Sequence, residues 1–115
     1  MDEIEPKEQN LSSKPVPQKT NISLQQAIDF GEYDPKSLSN FTEWHTLSTH
    51  IQFQLVRKAL EIRHKQLITQ YAEINNVLDF SKKPHILVAL KNVERQISEL
   101  MKDRERLYVE FSNKM

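Results

Sequence analysis

Residues 84–111 read PHILVALKNVERQISELMKDRERLYVEF, and their spacing decides the fold. Ile86, Leu90, Val93, Ile97, Leu100, Arg104, Leu107 and Phe111 follow one another in steps of four and three, and Arg104 alone among them is not apolar. An α-helix returns to the same face about every 3.6 residues, so this spacing builds one continuous seam against which a second helix can pack. Pro84 fits the first turn of such a helix, where its missing N–H is not needed, and Asp79 or Ser81 can cap it. The predicted helix spans about 84–111.

Working backwards, the chain from Phe41 to Lys83 contains neither Gly nor Pro and is rich in Leu, Ile, Gln, Glu, Lys and Arg, a composition that favours helix. Leu60, His64, Leu67, Tyr71, Ile74 and Leu78 repeat the four-three spacing, which extends back to Arg57 and Phe53. Asn40 followed by Glu43 fits a capping box, with Ser39 as an alternative cap, and predicts a helix over about 41–78. Folding the two helices back on each other sets Leu78 opposite Ile86, Tyr71 opposite Val93, Leu67 opposite Ile97 and Phe53 opposite Phe111. The expected architecture is therefore all-α, an antiparallel coiled-coil hairpin of two long helices occupying residues 40–115.

This register leaves the start of the first helix without a partner, in the stretch FTEWHTLSTHIQF at residues 41–53. Phe41, Trp44, Leu47, Ile51 and Leu55 recur at three- and four-residue steps and would form one apolar stripe, which we expect to bind a protein partner. Outside the two seams, Val56, Ile62, Ile68 and Val77 on the first helix and Leu87, Met101 and Tyr108 on the second form further apolar positions. Two helices cover one stripe each, so these residues imply additional helices, from a homodimer or from other helical proteins in a larger assembly.

Reactive chemistry does not fit the same stretch. His45 and His50 are five residues apart, about 140° around a helix, whereas metal-binding pairs on one helix sit four apart. His64 and His85 are more distant still. Ser48 and Thr49 lie near the imidazoles, but no glycine-bearing turn is present to strain a nucleophile or supply oxyanion donors. No phosphate cradle can be built without a Gly-rich loop. The expectation is no catalytic residue, no metal, no cofactor and no small-molecule substrate. His64 in the seam reads as a partly covered neutral imidazole. Arg57 and Arg104 read as marginal residues whose stems cover the seam while their heads stay in water.

Four of the five prolines and the single glycine precede residue 40. Residues 1–20, MDEIEPKEQNLSSKPVPQKT, carry few large apolar groups and are expected to be a disordered tail. Residues 21–39 contain Ile22, Leu24, Ala27, Ile28 and Phe30, one face of a short helix capped by Asn21 or Ser23 and ended by Gly31. That segment is either a linker folded back on the domain or a docking motif.

Cysteine is absent, which removes disulfides and thiolate chemistry and points to a reducing compartment. No apolar run approaches the roughly twenty residues that cross a bilayer, and the N-terminus is acidic where a secretory or mitochondrial signal is basic. Charges balance at sixteen of each sign. The clusters RKALEIRHK and KDRER interleave acids, so they read as solvated helix faces and direct nucleic-acid binding is disfavoured. A polar tail before a coiled-coil hairpin resembles, as a type, the small accessory subunits of chromatin-modifying, kinetochore or tethering assemblies. The expected function is a non-catalytic subunit or scaffold of a multiprotein complex, nuclear or cytoplasmic with a lean towards a nuclear, chromatin-associated one. The alternatives are a nucleic-acid-binding accessory factor and an adaptor or tether on a membrane-associated complex.

Overall fold

A computed structural model describes residues 22–76 and 84–115. The expected tail, the proposed caps Asn21, Asp79 and Ser81, and Val77 and Leu78 lie outside the described residues. Within them every regular element is helical and no strand occurs.

Helix α1 spans Leu24–Asp29. Ser23 starts it with a capping box: its Oγ accepts from the Gln26 N–H at 3.1 Å, and the Gln26 side chain accepts from the Ser23 N–H at 2.9 Å. At its other end Gly31 has φ +90°, a left-handed conformation that costs a side-chain-bearing residue steric strain. The Gly31 and Glu32 N–H groups return to the Ile28 and Ala27 carbonyls at 2.9 and 3.0 Å, the paired bonds of a Schellman turn. Helix α2, Pro35–Leu38, is a single turn with Pro35 in first position and the Asp34 carboxylate accepting from the Lys36 N–H at 3.0 Å. A 3₁₀ turn follows at Thr42–Thr46.

The first long helix, α3, runs Thr49–Asn75, so it begins eight residues later than the predicted start at 41. Local hydroxyl chemistry explains the break. Thr46 donates to the Glu43 carbonyl at 2.7 Å and Ser48 accepts from the Ile51 N–H at 3.2 Å, while Leu47 between them is extended. Such side chains offer the backbone an alternative to continuing the helix, and Ser48 is the cap. The Asn40–Glu43 capping box does not form. Glu43 accepts instead from the Leu24 N–H at 3.3 Å, closing the front of α1. The second long helix, α4, spans Pro84–Lys114 and outruns the predicted end at 111 by three residues.

One apolar cluster joins these elements. Leu24, Ala27, Ile28, Leu38 and Trp44 from the N-terminal segment pack with Val56, Ala59, Leu60 and Leu67 of α3 and Val93, Leu100, Leu107 and Phe111 of α4. Phe53 near the start of α3 stacks on Phe111 near the end of α4, with ring centres 5.2 Å apart. Towards the other end Tyr71 donates to Glu94 at 3.2 Å. Seam positions are unequal: Leu60, Leu67, Leu90, Val93, Leu100, Leu107 and Phe111 are buried, whereas Tyr71, Ile74, Ile86 and Ile97 are half-buried. Residues 22–47 thus supply cover that the sequence assigned to outside partners, and Val56, expected beyond the seam and open, is fully buried.

Candidate interaction surface

The stretch expected to dock a partner is mostly consumed inside the chain. Trp44 is 5% exposed and belongs to the core, and Phe41, Leu47 and Leu55 pack against that core half-buried. Ile51 alone remains open, at 39%. The five residues do not form one helical stripe, because the 3₁₀ turn and extended Leu47 rotate Phe41 and Trp44 away from the register of α3. The polar groups of the stretch are likewise occupied: His45 Nε2 meets the Ser39 carbonyl at 2.7 Å, and Gln52 donates to the Trp44 carbonyl at 2.9 Å.

Side chains from α3 and α4 fasten the N-terminal segment on one side of the long helices. The Phe30 carbonyl accepts from Gln66 at 3.1 Å and Arg63 at 3.4 Å, and Lys58 pairs with Asp29 at 3.5 Å. Tyr33 donates to Asp103 at 2.6 Å across a cleft of about 240 Å³ that Arg63 and Leu67 also line. Burial, and then that hydrogen bond to a carboxylate, push the Tyr33 phenol well above its ordinary pKa. Periodicity gave no sign of Tyr33, Arg63, Gln66 or Asp103. The local signal that existed was the Gly31 turn followed by Asp34–Pro35, which ends α1 and starts α2.

The other side of the long helices carries no segment of the described chain. Two contacts mark it, Tyr71 with Glu94 and Phe53 edge-on to Tyr108 with ring centres 5.3 Å apart. The Glu94 hydrogen bond raises the pKa of the Tyr71 phenol. Along this side the helical spacing places Ile68 on α3 and Leu87, Met101 and Tyr108 on α4, the last three fourteen and seven residues apart. Ile68 is 45% exposed, Leu87 40% and Tyr108 39%, while Met101 is partly covered. Of the described positions expected outside the seams, Val56 is buried and Ile62 and Met101 are half-buried, whereas Ile68, Leu87 and Tyr108 are exposed.

Charge on this side is mixed. The Arg57 guanidinium lies 5.8 Å from the centre of the Phe53 ring, a cation–π contact. Arg104 precedes Tyr108 by one turn. Neither arginine makes an ion pair with a described residue, and neither does Glu61 or Glu105 beside them. The remaining arginines of the KDRER and NVERQ stretches behave differently: Arg95 pairs with Glu99 at 3.0 Å, and Arg106 with Glu110 at 3.2 Å and Asp103 at 3.5 Å. Among the described residues no group of three or more His, Asp or Glu side chains converges as a metal site, and no helix is long and apolar enough to cross a membrane.

Compared with protein-family models, with curated proteins and with solved structures, the chain matches none.

Proposed function

We propose that this chain is a non-catalytic helical subunit of a multiprotein assembly. Its two long helices form an antiparallel coiled-coil hairpin, and the side marked by Ile68, Leu87 and Tyr108 receives helical partners. The contacts at both ends support the hairpin, since Phe53 meets Phe111 and Tyr71 meets Glu94 in the order that an antiparallel register requires. One observation carries the functional reading: the chain covers one side of its helix pair with its own residues 22–47 and leaves large apolar side chains open along the other. Open apolar rows flanked by Arg and Tyr have the composition of protein-binding surfaces.

The chemistry of residues 41–53 supports a non-catalytic role. His45 and Gln52 hold backbone carbonyls, while Ser48 caps α3, so these groups serve the local fold. Ion pairing of Arg95 and Arg106 on their own helix leaves less free charge for phosphates, which weighs against the nucleic-acid reading. A nuclear, chromatin-associated assembly is the setting proposed first, with cytoplasmic complexes as the alternative.

Native co-purification of the tagged full chain tests this, wild type beside Ile68→Asp/Leu87→Asp. Stoichiometric partners on the wild type, lost from a variant with unchanged helicity, support the reading. Partners that bind both equally place the docking surface elsewhere.

A further inference from the structure

The open side of the helix pair is self-complementary in charge. Arg57 and Glu61 on α3 and Arg104 and Glu105 on α4 are all exposed, and none of the four is ion-paired within the described chain. Elsewhere on α4, Arg95 pairs with Glu99 and Arg106 with Glu110 at one-turn spacing, so these helices do satisfy some of their surface charges internally. By helical spacing these four charges, with exposed Lys65 one turn beyond Glu61, lie beside the apolar strip of Ile68, Met101 and Tyr108. A surface with free charges of both signs suits a copy of itself better than a uniformly acidic or basic partner, because a two-fold axis makes every cross-pair twice. The formal net charge of zero adds no long-range repulsion between copies.

We infer that the partner seated on this side is a second copy of the chain. Arg57 and Arg104 of each copy face Glu61 and Glu105 of the other around the apolar strip, giving a four-helix core with the two N-terminal segments on its outer flanks. This rests on the assembly reading above and names the occupant of that same face. Buried apolar area supplies the attraction, and the crossed ion pairs set orientation and exclude other pairings.

Sedimentation of the purified full chain over roughly 1 to 100 μM, the range in which small helical interfaces form, is the first test. A dimer is expected for the wild type. Arg57→Glu/Arg104→Glu and Glu61→Lys/Glu105→Lys should each self-associate at least about tenfold more weakly, because like charges then meet across the face. Mixing the two variants restores opposite charges and should restore the dimer, which also shows that both are folded. Val109→Asp, on the outer side of α4, should leave dimerisation unchanged. In the wild-type dimer, carbodiimide cross-links between isotopically distinct copies should join Glu61 or Glu105 to lysines of the long helices.

A wild type that stays monomeric throughout overturns the inference. So does a dimer that both charge-reversed variants keep, or one whose cross-links run only from residues 22–47. A monomer that still enters a stoichiometric assembly, and leaves it on Ile68→Asp/Leu87→Asp, sinks the second copy alone. Dimerisation on its own does not rescue the subunit reading if no assembly is recovered.

Discussion

The two long helices and the segment before them reach burial by different routes. In α3 and α4 the apolar side chains recur with the period of the helix, so each buried residue predicts the next. In residues 22–47 no period exceeds two turns, yet Ile28 and Leu38 are as buried as any residue of the long helices. There the chain changes direction at Gly31, at Asp34–Pro35, at the 3₁₀ turn and at Leu47, so that single anchors reach the core one at a time. A periodic element distributes its packing over many equivalent contacts. An aperiodic one concentrates it, and single substitutions there should do more damage.

Trp44→Ala breaks this comparison most sharply. The side chain is 5% exposed within the shared core, and truncating a buried Trp costs about 3 to 5 kcal/mol, which would unfold the N-terminal segment. Leu107→Ala, at an equally buried position of α4, should cost about 2 to 5 kcal/mol and lower the whole transition, because Leu107 belongs to the apolar cluster that joins α4 to α3. Thermal denaturation followed by far-UV circular dichroism, alongside proteolysis of residues 22–47, separates the two. If Trp44→Ala leaves that segment protected, the anchor argument is wrong and the Trp serves another purpose. Ile97→Asp, which the seam pattern places at the centre, should be milder than an Asp at Leu100, since Ile97 is only half-buried.

Legibility in the sequence follows the same division. The helical class, the long helix from Pro84 and the buried positions Leu60, Leu67, Leu90, Val93, Leu100, Leu107 and Phe111 could be read from spacing, while residue type gave the end of α1 at Gly31 and narrowed its cap to Asn21 or Ser23, of which Ser23 is the one that caps. The start of α3 could not. Trp44, Leu47 and Ile51 happen to keep helical spacing through a break made by Thr46 and Ser48, whose hydroxyls compete with the helix without any Gly or Pro to announce it. The proposed docking stripe shared that fate, because periodicity cannot tell an open face from one covered by the chain's own aperiodic segment. The long-range hydrogen bonds that Arg63, Gln66 and Asp103 make to the N-terminal segment link residues up to seventy apart, and no local pattern encodes them.

Gly31 is a smaller and more specific way to test how the segment is held. Its φ of +90° disfavours any L side chain, and a Cβ placed there would lie 3.2 Å from Gln66 Oε1 and 3.4 Å from the Arg63 Cα. The Gln66 oxygen and the Arg63 Nε, at 3.3 Å, are ends of flexible side chains that can yield, and the Arg63 Cα is already at ordinary contact distance, so the backbone conformation is the main cost. Gly31→Ala should therefore cost about 1 to 2 kcal/mol, from conformational strain and from loosening the bonds to the Phe30 carbonyl. Hydrogen exchange should show the loss confined to α1 and α2, with α4 unchanged. Uniform loss would mean that the segment and the helix pair unfold as one unit, and the contrast between them would be one of sequence pattern only.

The smallest effect expected concerns Tyr33, whose side chain hydrogen-bonds α4 at Asp103. Removing its hydroxyl in Tyr33→Phe should cost about 1 kcal/mol at neutral pH, the net worth of one partly exposed hydrogen bond, while Asp103 keeps its ion pair with Arg106. The pH dependence gives a sharper reading. Burial and Asp103 raise the Tyr33 pKa in the folded chain above its ordinary value of 10.0, so the unfolded chain ionises first. The stabilising contribution of the hydroxyl is then fully present below pH 10 and is lost as the pH rises through the folded-state pKa. Wild type and Tyr33→Phe should differ by a constant amount from neutral pH to about 10 and converge above it in urea titrations. Curves that stay parallel would mean that the hydroxyl ionises alike in both states and that apolar anchors alone hold the segment. In that case the damage from Trp44→Ala should be larger relative to every polar substitution in the segment, because the anchors would then carry the attachment by themselves.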